Sequence, residues 1–141
     1  MPDKDYSHRD VTDKLGLKQG FVVRVVGKGA PDLLARARQK TGRGLARSAK
    51  TPANVILYWP KSSSEITPTL IELRQAITPN GGIWVVTAKR NCTSAGGMAY
   101  FNQDALIPLG AAAGLVDNKI CSLSDSESAM RFVIRKADRK Q

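Results

Sequence analysis

The residues with the clearest chemical potential surround a short glycine turn. The turn Gly27–Gly29 follows an apolar, β-branched run at 21–26 and precedes a typical helix start at 30–32. A glycine turn that opens a helix presents backbone N–H groups to an anion, and the helix dipole favours negative charge there. The pattern therefore predicts a cofactor- or anion-binding turn. The alternative is that the two glycines only shape the connection from strand to helix.

Two further segments are expected at the same edge of the sheet. Trp59-Pro60-Lys61 and Lys89-Arg90 each follow an apolar run that is typical of a buried strand. Because ligands of open α/β sheets lie at the carboxyl ends of the strands, these segments and the turn are predicted to form one basic cleft with a tryptophan wall. The alternative is that Trp59 packs in the core. The predicted cofactor-binding residues are Gly27, Lys28, Gly29, Trp59, Lys61 and Lys89.

A second candidate site is the basic segment after the turn. The chain has a net charge of +10, yet residues 33 to 64 contain no acidic side chain. Basic residues that recur every three or four positions would contact successive phosphates in a salt-sensitive, sequence-independent way. The alternative is a solvated surface that keeps the protein soluble. The predicted nucleic-acid-binding residues are Arg36, Arg38, Lys40, Arg43, Arg47 and Lys50.

Side chains that commonly act as nucleophiles, bases or metal ligands are scattered along the chain. His8 is the only histidine, and Cys92 and Cys121 do not have the spacing of a zinc site. The acidic residues of the second half lie near expected caps and turns, where acids are common. We therefore predict no metal site, no catalytic residues and no bound cofactor.

Hydrophobic patterning predicts an α/β fold. Strands alternate with helices until a final pair of strands, which indicates a small, mostly parallel Rossmann-like sheet with a C-terminal antiparallel strand pair and helices on both faces. The expected strands are 21–26, 53–59, 83–88, 116–123 and 129–135. The expected helices run from 30–32 to 42, from 62–64 to 77 and from 102–104 to 114.

Local signals add detail to these elements. Ser62 and Glu65 have the spacing of a capping box, and residues 80–82 (Asn-Gly-Gly) predict a turn between helix and strand. We expect a flexible polar arm at 1–14, a single α/β domain at 15–136 and a charged tail at 137–141.

The second half of the chain resembles the second half of a class I methyltransferase. Residues 76–86 (AITPNGGIWVV) look like the helix, proline-glycine-glycine turn and strand of that fold, and helix 103–113 with the last two strands fits its end. The resemblance implies a glycine-rich loop after the first strand and an acid after the second strand that binds ribose hydroxyls. The first half departs from this pattern, because only Gly27 and Gly29 form the loop and the corresponding acid is absent.

A resemblance to a bacterial family of small proteins without an assigned activity covers more of the chain. It rests on the segment 14–20 (KLGLKQG), on Gly27, on the turn 81–84 (GGIW), on 115–121 (LVDNKIC) and on 131–133 (RFV). Members often have a proline where Gln19 stands and a tryptophan where this chain has Glu127 or Ser128. The family adds no activity to the prediction.

The main functional hypothesis is a non-catalytic binding or regulatory protein that holds an anionic partner on a basic surface. Nucleic acid or an acidic protein is the expected partner, and self-association is a further option. The alternative is a small-ligand protein that binds a nucleotide or nucleoside, or a degenerate methyltransferase-like enzyme. No apolar run approaches the ~20 residues of a membrane span, and the N-terminus lacks a signal-peptide core, so we expect a cytoplasmic protein without membrane contact.

Overall fold

The computed structural model describes residues 10–47 and 50–139, and a five-stranded sheet lies at its centre. The spatial order of the strands is β1-β2-β3-β5-β4. The β1-β2 and β2-β3 pairs are parallel, whereas β3-β5 and β4-β5 are antiparallel. The strands are β1 (Val23–Val26), β2 (Ala53–Tyr58), β3 (Ile77–Ala88), β4 (Leu115–Ser122) and β5 (Glu127–Ile134). The α-helices are α1 (Val11–Lys14), α2 (Pro31–Thr41), α3 (Ile66–Arg74) and α4 (Leu106–Ala112).

The sheet separates two hydrophobic layers. Leu33, Leu34 and Ala37 of α2 pack with α1 on one face, over side chains such as Leu57 and Trp84. Helices α3 and α4 pack on the opposite face. β2 is buried along almost its whole length because it is covered on both sides. The predicted fold class, a mostly parallel Rossmann-like sheet with an antiparallel end and helices on both faces, is confirmed.

The third strand begins earlier than the sequence pattern predicts. Helix α3 ends at Arg74, and β3 already starts at Ile77, so residues 80–82 lie inside the strand and not in a turn. Between two pairs of the β2–β3 ladder, Ala53–Ile77 and Val55–Gly82, β2 advances two residues and β3 advances five. The extra residues of β3 bulge out of the ladder. They lie at the position where the sequence pattern predicts a turn.

The predicted capping box before α3 does not form. Ser62 makes no cap hydrogen bond from its side chain, and Ser63–Glu65 adopts one turn of 3₁₀-helix. The Glu65 carboxylate instead accepts a hydrogen bond from the Tyr58 hydroxyl at 2.8 Å. A tertiary partner at the end of β2 therefore replaces the local one.

The chain ends are described only in part. The expected arm at 1–14 lies outside the described residues up to residue 9, whereas α1 follows Asp10, which accepts a hydrogen bond from the Thr12 backbone N–H at 2.9 Å. In the expected tail, Lys136–Asp138 forms a 3₁₀ turn, and residues 140–141 lie outside the described part. No helix among the described residues is long and apolar enough to cross a membrane.

Candidate functional site at the carboxyl edge of the sheet

The carboxyl ends of the first two parallel strands meet directly. Val26 lies opposite Tyr58 in the ladder, and the Trp59 N–H donates to the Val26 carbonyl at 2.9 Å. Gly27 therefore lies against Trp59. A Cβ atom at Gly27 would collide with the Trp59 carbonyl oxygen, and the backbone there has a φ of +96°. Both restrictions require glycine at this position.

The chain changes direction in the sheet at this same place. After β1 and α2, Ala46 forms a parallel bridge with Arg24 on the outer side of β1. The chain then returns to form β2 on the inner side of β1. The crevice beyond the carboxyl ends of β1 and β2 is thus a topological switch point, the usual ligand position in open α/β sheets.

Helix α2 begins at this crevice without a side-chain cap. Its N-cap residue is Ala30 and its first residue is Pro31. The N–H groups of Asp32 and Leu33 have no acceptor within the helix, as in the first turn of any α-helix. Together with the exposed Lys28, they make this turn favourable for an anionic group.

The side chain of Trp59 is buried and is hydrogen-bonded to an acid of β5, which lies two strands away from β2 in the sheet. Its indole Nε1–H donates to Glu127 Oε2 at 3.2 Å. The same carboxylate oxygen accepts from the Ala95 N–H at 2.7 Å, which fastens the loop after β3 over the ring. Gly96 comes so close to the Pro60 carbonyl that a Cβ there would lie 2.9 Å from it. Trp59 is therefore packed in the core in this structure and does not form an exposed wall.

Sequence reasoning missed Glu127. It follows a serine-rich turn, where an acid usually faces solvent, and its partners lie 68 and 32 residues away in the chain. Its side chain is only 5% exposed. The one local hint is that Glu127 continues the alternation of Ala129 and Arg131 on one face of β5.

The other predicted ligand residues point in different directions. Lys28 and Lys61 are exposed. Lys89 lies beyond the level of Tyr58, and its Nζ donates to Ser122 Oγ at 2.6 Å, towards the β4–β5 hairpin. The structure thus brings Gly27 and Trp59 together and directs Lys89 elsewhere. A ligand role for these residues stays a prediction.

The predicted nucleic-acid-binding residues are all exposed but do not form one row. Lys40 pairs with Asp13 at 2.7 Å. Arg43 donates to the Gly20 carbonyl at 3.2 Å, and Arg47 donates to the Gly27 carbonyl at 3.1 Å. Arg36 shares a side of α2 with Lys40, whereas Arg38 lies on another flank. Lys50 follows residues 48–49, which lie outside the described part of the chain.

A polar cleft of about 350 Å³ lies beside the end of β3, on the α4 side. Arg90 lies over the ring of Tyr100, with 5.6 Å between the guanidinium carbon and the ring centre. Two buried polar atoms nearby in the chain, Thr87 Oγ1 and Gln103 Nε2, have no hydrogen-bond partner among the described residues. The cleft is lined by Ala88, Lys89, Arg90, Tyr100, Asn102, Gln103, Asp104 and Ser128.

Solved structures with a similar fold include methyltransferases. A SAM-dependent methyltransferase from Aquifex aeolicus is 16% identical over 89% of this chain and 88% of that chain, with a TM-score of 0.68. The O-methyltransferase of neocarzinostatin biosynthesis, solved with S-adenosyl-L-homocysteine and 1,4-dihydroxy-2-naphthoic acid, is 16% identical with a TM-score of 0.65. The match covers 93% of this chain and 54% of that enzyme. No protein-family model and no curated protein matches the sequence.

The fold is the methyltransferase-like Rossmann fold. This finding overturns the main functional hypothesis of a non-catalytic protein with a basic surface for an anionic partner. The structural neighbours favour the alternative, a methyltransferase-like enzyme. The geometry gives a reason for the error, since Lys40, Arg43 and Arg47 use their charges on the chain's own carboxylate and carbonyl groups.

The turn residues fit the carboxylate of a ligand such as the S-adenosyl-L-homocysteine in the neocarzinostatin O-methyltransferase. The turn Gly27–Gly29 and the uncapped start of α2 offer backbone donors for a carboxylate. The ribose side differs from the pattern that the resemblance implies. The residue after the outer bridge at Ala46 is Arg47, a cation bound to the Gly27 carbonyl, and no acid stands there.

Proposed function

We propose that this protein is a methyltransferase-like enzyme that binds an adenosyl ligand at the carboxyl edge of its sheet. The observation that carries the proposal is the glycine turn at the topological switch point between β1 and β2. The fold similarity to methyltransferases supports it. We further propose a cytoplasmic location and membership in the bacterial family of small proteins that the sequence resembles.

In this proposal the chain's own residues bind and orient the ligand. The backbone N–H groups of Asp32 and Leu33 and the side chain of Lys28 would hold its anionic end. Arg47 would stand near the ribose in place of an acid. S-adenosylmethionine, when bound, supplies an electrophilic methyl group.

The cleft beside β3 is the proposed position of the acceptor substrate. It lies at the same edge of the sheet, and Lys89 and Arg90 give it cationic side chains next to the polar Asn102 and Gln103. Gln103 also lines the cleft, and its buried Nε2 has no hydrogen-bond partner among the described residues. Two cationic groups against the one carboxylate of Asp104 favour a small polar molecule that carries negative charge.

The test is calorimetric titration with S-adenosylhomocysteine and S-adenosylmethionine, with transfer of a labelled methyl group as the readout of activity. We expect binding that weakens in Lys28→Glu, because the new carboxylate repels the anionic end of the ligand. Arg47→Glu places an acid where the ribose hydroxyls are expected and should strengthen binding several-fold.

The matched control is Arg43→Glu. Arg43 also binds a backbone carbonyl, that of Gly20, but it lies away from the turn. Affinity in Arg43→Glu should equal that of the unchanged protein. The absence of any heat or thermal stabilisation at millimolar concentrations of both ligands would refute the proposal.

A further inference from the structure

A second cleft lies at the opposite edge of the sheet from the glycine turn. Its volume is about 620 Å³, within the range of ligand sites. It opens where the parallel strands begin, on the face covered by α1, with the buried ring of Trp84 in its floor. It is lined by Asp13, Lys14, Leu15, Gly16, Lys18, Phe21, Asn54, Val55, Thr78, Asn80, Trp84, Lys119 and Arg131.

Two cations stand directly opposite each other in the antiparallel ladder beneath this cleft. Lys119 of β4 pairs with Arg131 of β5, and Arg131 pairs with Trp84 of β3. Side chains of such a pair share a face, with Cβ atoms about 5 Å apart, and like charges there destabilise the sheet. The ladder shifts by one residue between Asp117 and Lys119, and this irregularity places Lys119 on the cleft side. The sheet thus carries a repulsive pair that an anion between the two side chains would relieve.

Arg131 is held in place without a counter-ion from the described chain. It forms no ion pair with a described residue, and its guanidinium lies flat against Gly82, where any Cβ atom would collide with it. Burial lowers the pKa of Arg131, and the nearby charge of Arg139 lowers it further. A half-buried guanidinium in this position gains most from an anionic ligand with two oxygen atoms.

The remaining wall of the cleft adds donors and almost no negative charge. Lys14 and Lys18 contribute two more ammonium groups. The carboxylate of Asp13 is already paired with Lys40 at 2.7 Å. Asn54 uses its oxygen to accept from the Val22 N–H at 2.8 Å, which leaves its NH₂ group as the free end.

We propose that this amino-edge cleft binds a small ligand with a diphosphate group. Four cationic side chains around one cavity match the charge of a diphosphate, and the paired oxygens of a phosphate suit Arg131. The cavity also has room for a nucleoside next to the diphosphate, and Phe21 in its lining offers a ring for stacking. The site is separate from the carboxyl edge and does not depend on the enzyme function proposed there.

The test is calorimetric titration of the full chain with inorganic pyrophosphate at low and high salt. We expect saturable one-to-one binding that weakens as salt rises. Lys119→Gln and Arg131→Gln should each lower the affinity at least about tenfold, the loss expected for a charge-assisted hydrogen bond. Lys119 is exposed on an edge strand, so its substitution keeps the fold even where Arg131→Gln does not.

The matched control at the other edge is Lys61→Gln, which removes the same charge from an exposed position. Its pyrophosphate affinity should equal that of the unchanged protein. Equal losses in all three variants would reduce the effect to net charge and overturn the proposal, as would the absence of binding at low salt. Titration of the same variants with S-adenosylhomocysteine reports on the carboxyl edge alone.

Two further measurements complete the test. ADP that binds more tightly than pyrophosphate would identify the ligand as a nucleotide. Equal binding of the two would show that the cleft recognises the diphosphate alone. Without ligand, Lys119→Gln should raise Tm by about 2 °C because the repulsion from Arg131 is gone. A lower Tm in that variant would contradict the repulsive pair on which the proposal rests.

Discussion

The two tryptophans of the chain have closely similar settings, but their surroundings differ. Trp59 follows β2 at the carboxyl edge, Trp84 of β3 lines the amino-edge cleft, and both are buried on the α1–α2 face. Each indole N–H has an acceptor, the Glu127 carboxylate for Trp59 at 3.2 Å and the Leu15 carbonyl for Trp84 at 3.1 Å. The difference lies in what covers them. The loop at 94–97 closes over Trp59, whereas a cationic cleft of about 620 Å³ remains open beside Trp84.

The comparison shows that an open cavity need not lie at the position where the fold is expected to bind a ligand. The carboxyl edge has the glycine turn and the topological switch point, yet the chain's own loop packs against β2 there. The amino edge has no ligand-binding motif that the sequence analysis recognised, yet it collects like charges that no described acid neutralises. Four predictions test this difference between the carboxyl edge and the amino edge.

The largest effect is expected for Trp59→Ala. Removal of a fully buried indole should lower the free energy of unfolding by about 3–5 kcal/mol. Urea denaturation followed by circular dichroism measures this loss. The comparison variant Trp59→Phe keeps a smaller aromatic ring and loses the hydrogen bond to Glu127, so its loss should be smaller than that of the Ala variant. An Ala variant as stable as the Phe variant would show that the loop at 94–97 does not depend on the ring.

Glu127→Leu should have the next largest effect. It leaves Trp59 Nε1 and the Ala95 N–H without an acceptor, which costs about 2–3 kcal/mol of unfolding free energy. Hydrogen exchange at the Ala95 amide should accelerate more than exchange in α2. Unchanged protection of Ala95 would mean that this carboxylate does not fasten the loop.

A smaller effect concerns Tyr58 at high pH. Burial, reinforced by Glu65, raises the pKa of the Tyr58 hydroxyl well above its ordinary value of about 10. The folded state therefore keeps its proton while the unfolded chain loses it, and stability falls as the pH rises above 10. Tyr58→Phe should flatten this dependence and cost about 1 kcal/mol at neutral pH for the lost hydrogen bond. If the stability of Tyr58→Phe and that of the unchanged protein fall in the same way above pH 10, the explanation by the Tyr58 hydroxyl is contradicted.

The smallest effect is expected for Lys40→Ala. Its ion pair with Asp13 lies on the surface, with more than a third of each side chain exposed. Solvent and salt screen such pairs, so Tm should stay within about 1 °C. Thermal denaturation at two salt concentrations measures this. A larger drop in Tm would mean that the ion pair stabilises α1. The wall of the amino-edge cleft, to which α1 contributes, would then depend on the pair as well.

Much of the fold could be predicted because its signals are local. β2 is buried on both faces and reads as an apolar run, and Pro31 and Gly42 mark the ends of α2. The errors lie where distant segments overrule local signals. Residues 80–82 read as a turn but lie inside β3, where Gly82 pairs with Val55, and Glu65 reads as a cap but accepts from Tyr58.

The sequence by itself determined the element order, the fold class and the glycine turn at the end of β1. These depend on residue periodicity and on backbone requirements that each residue carries with it. Only the tertiary structure decided the partners of Trp59, the role of Glu127 and the opposition of Lys119 and Arg131. Such contacts depend on ladder register and on residues far apart in the chain, and a one-residue shift in register moves a side chain to the other face of the sheet.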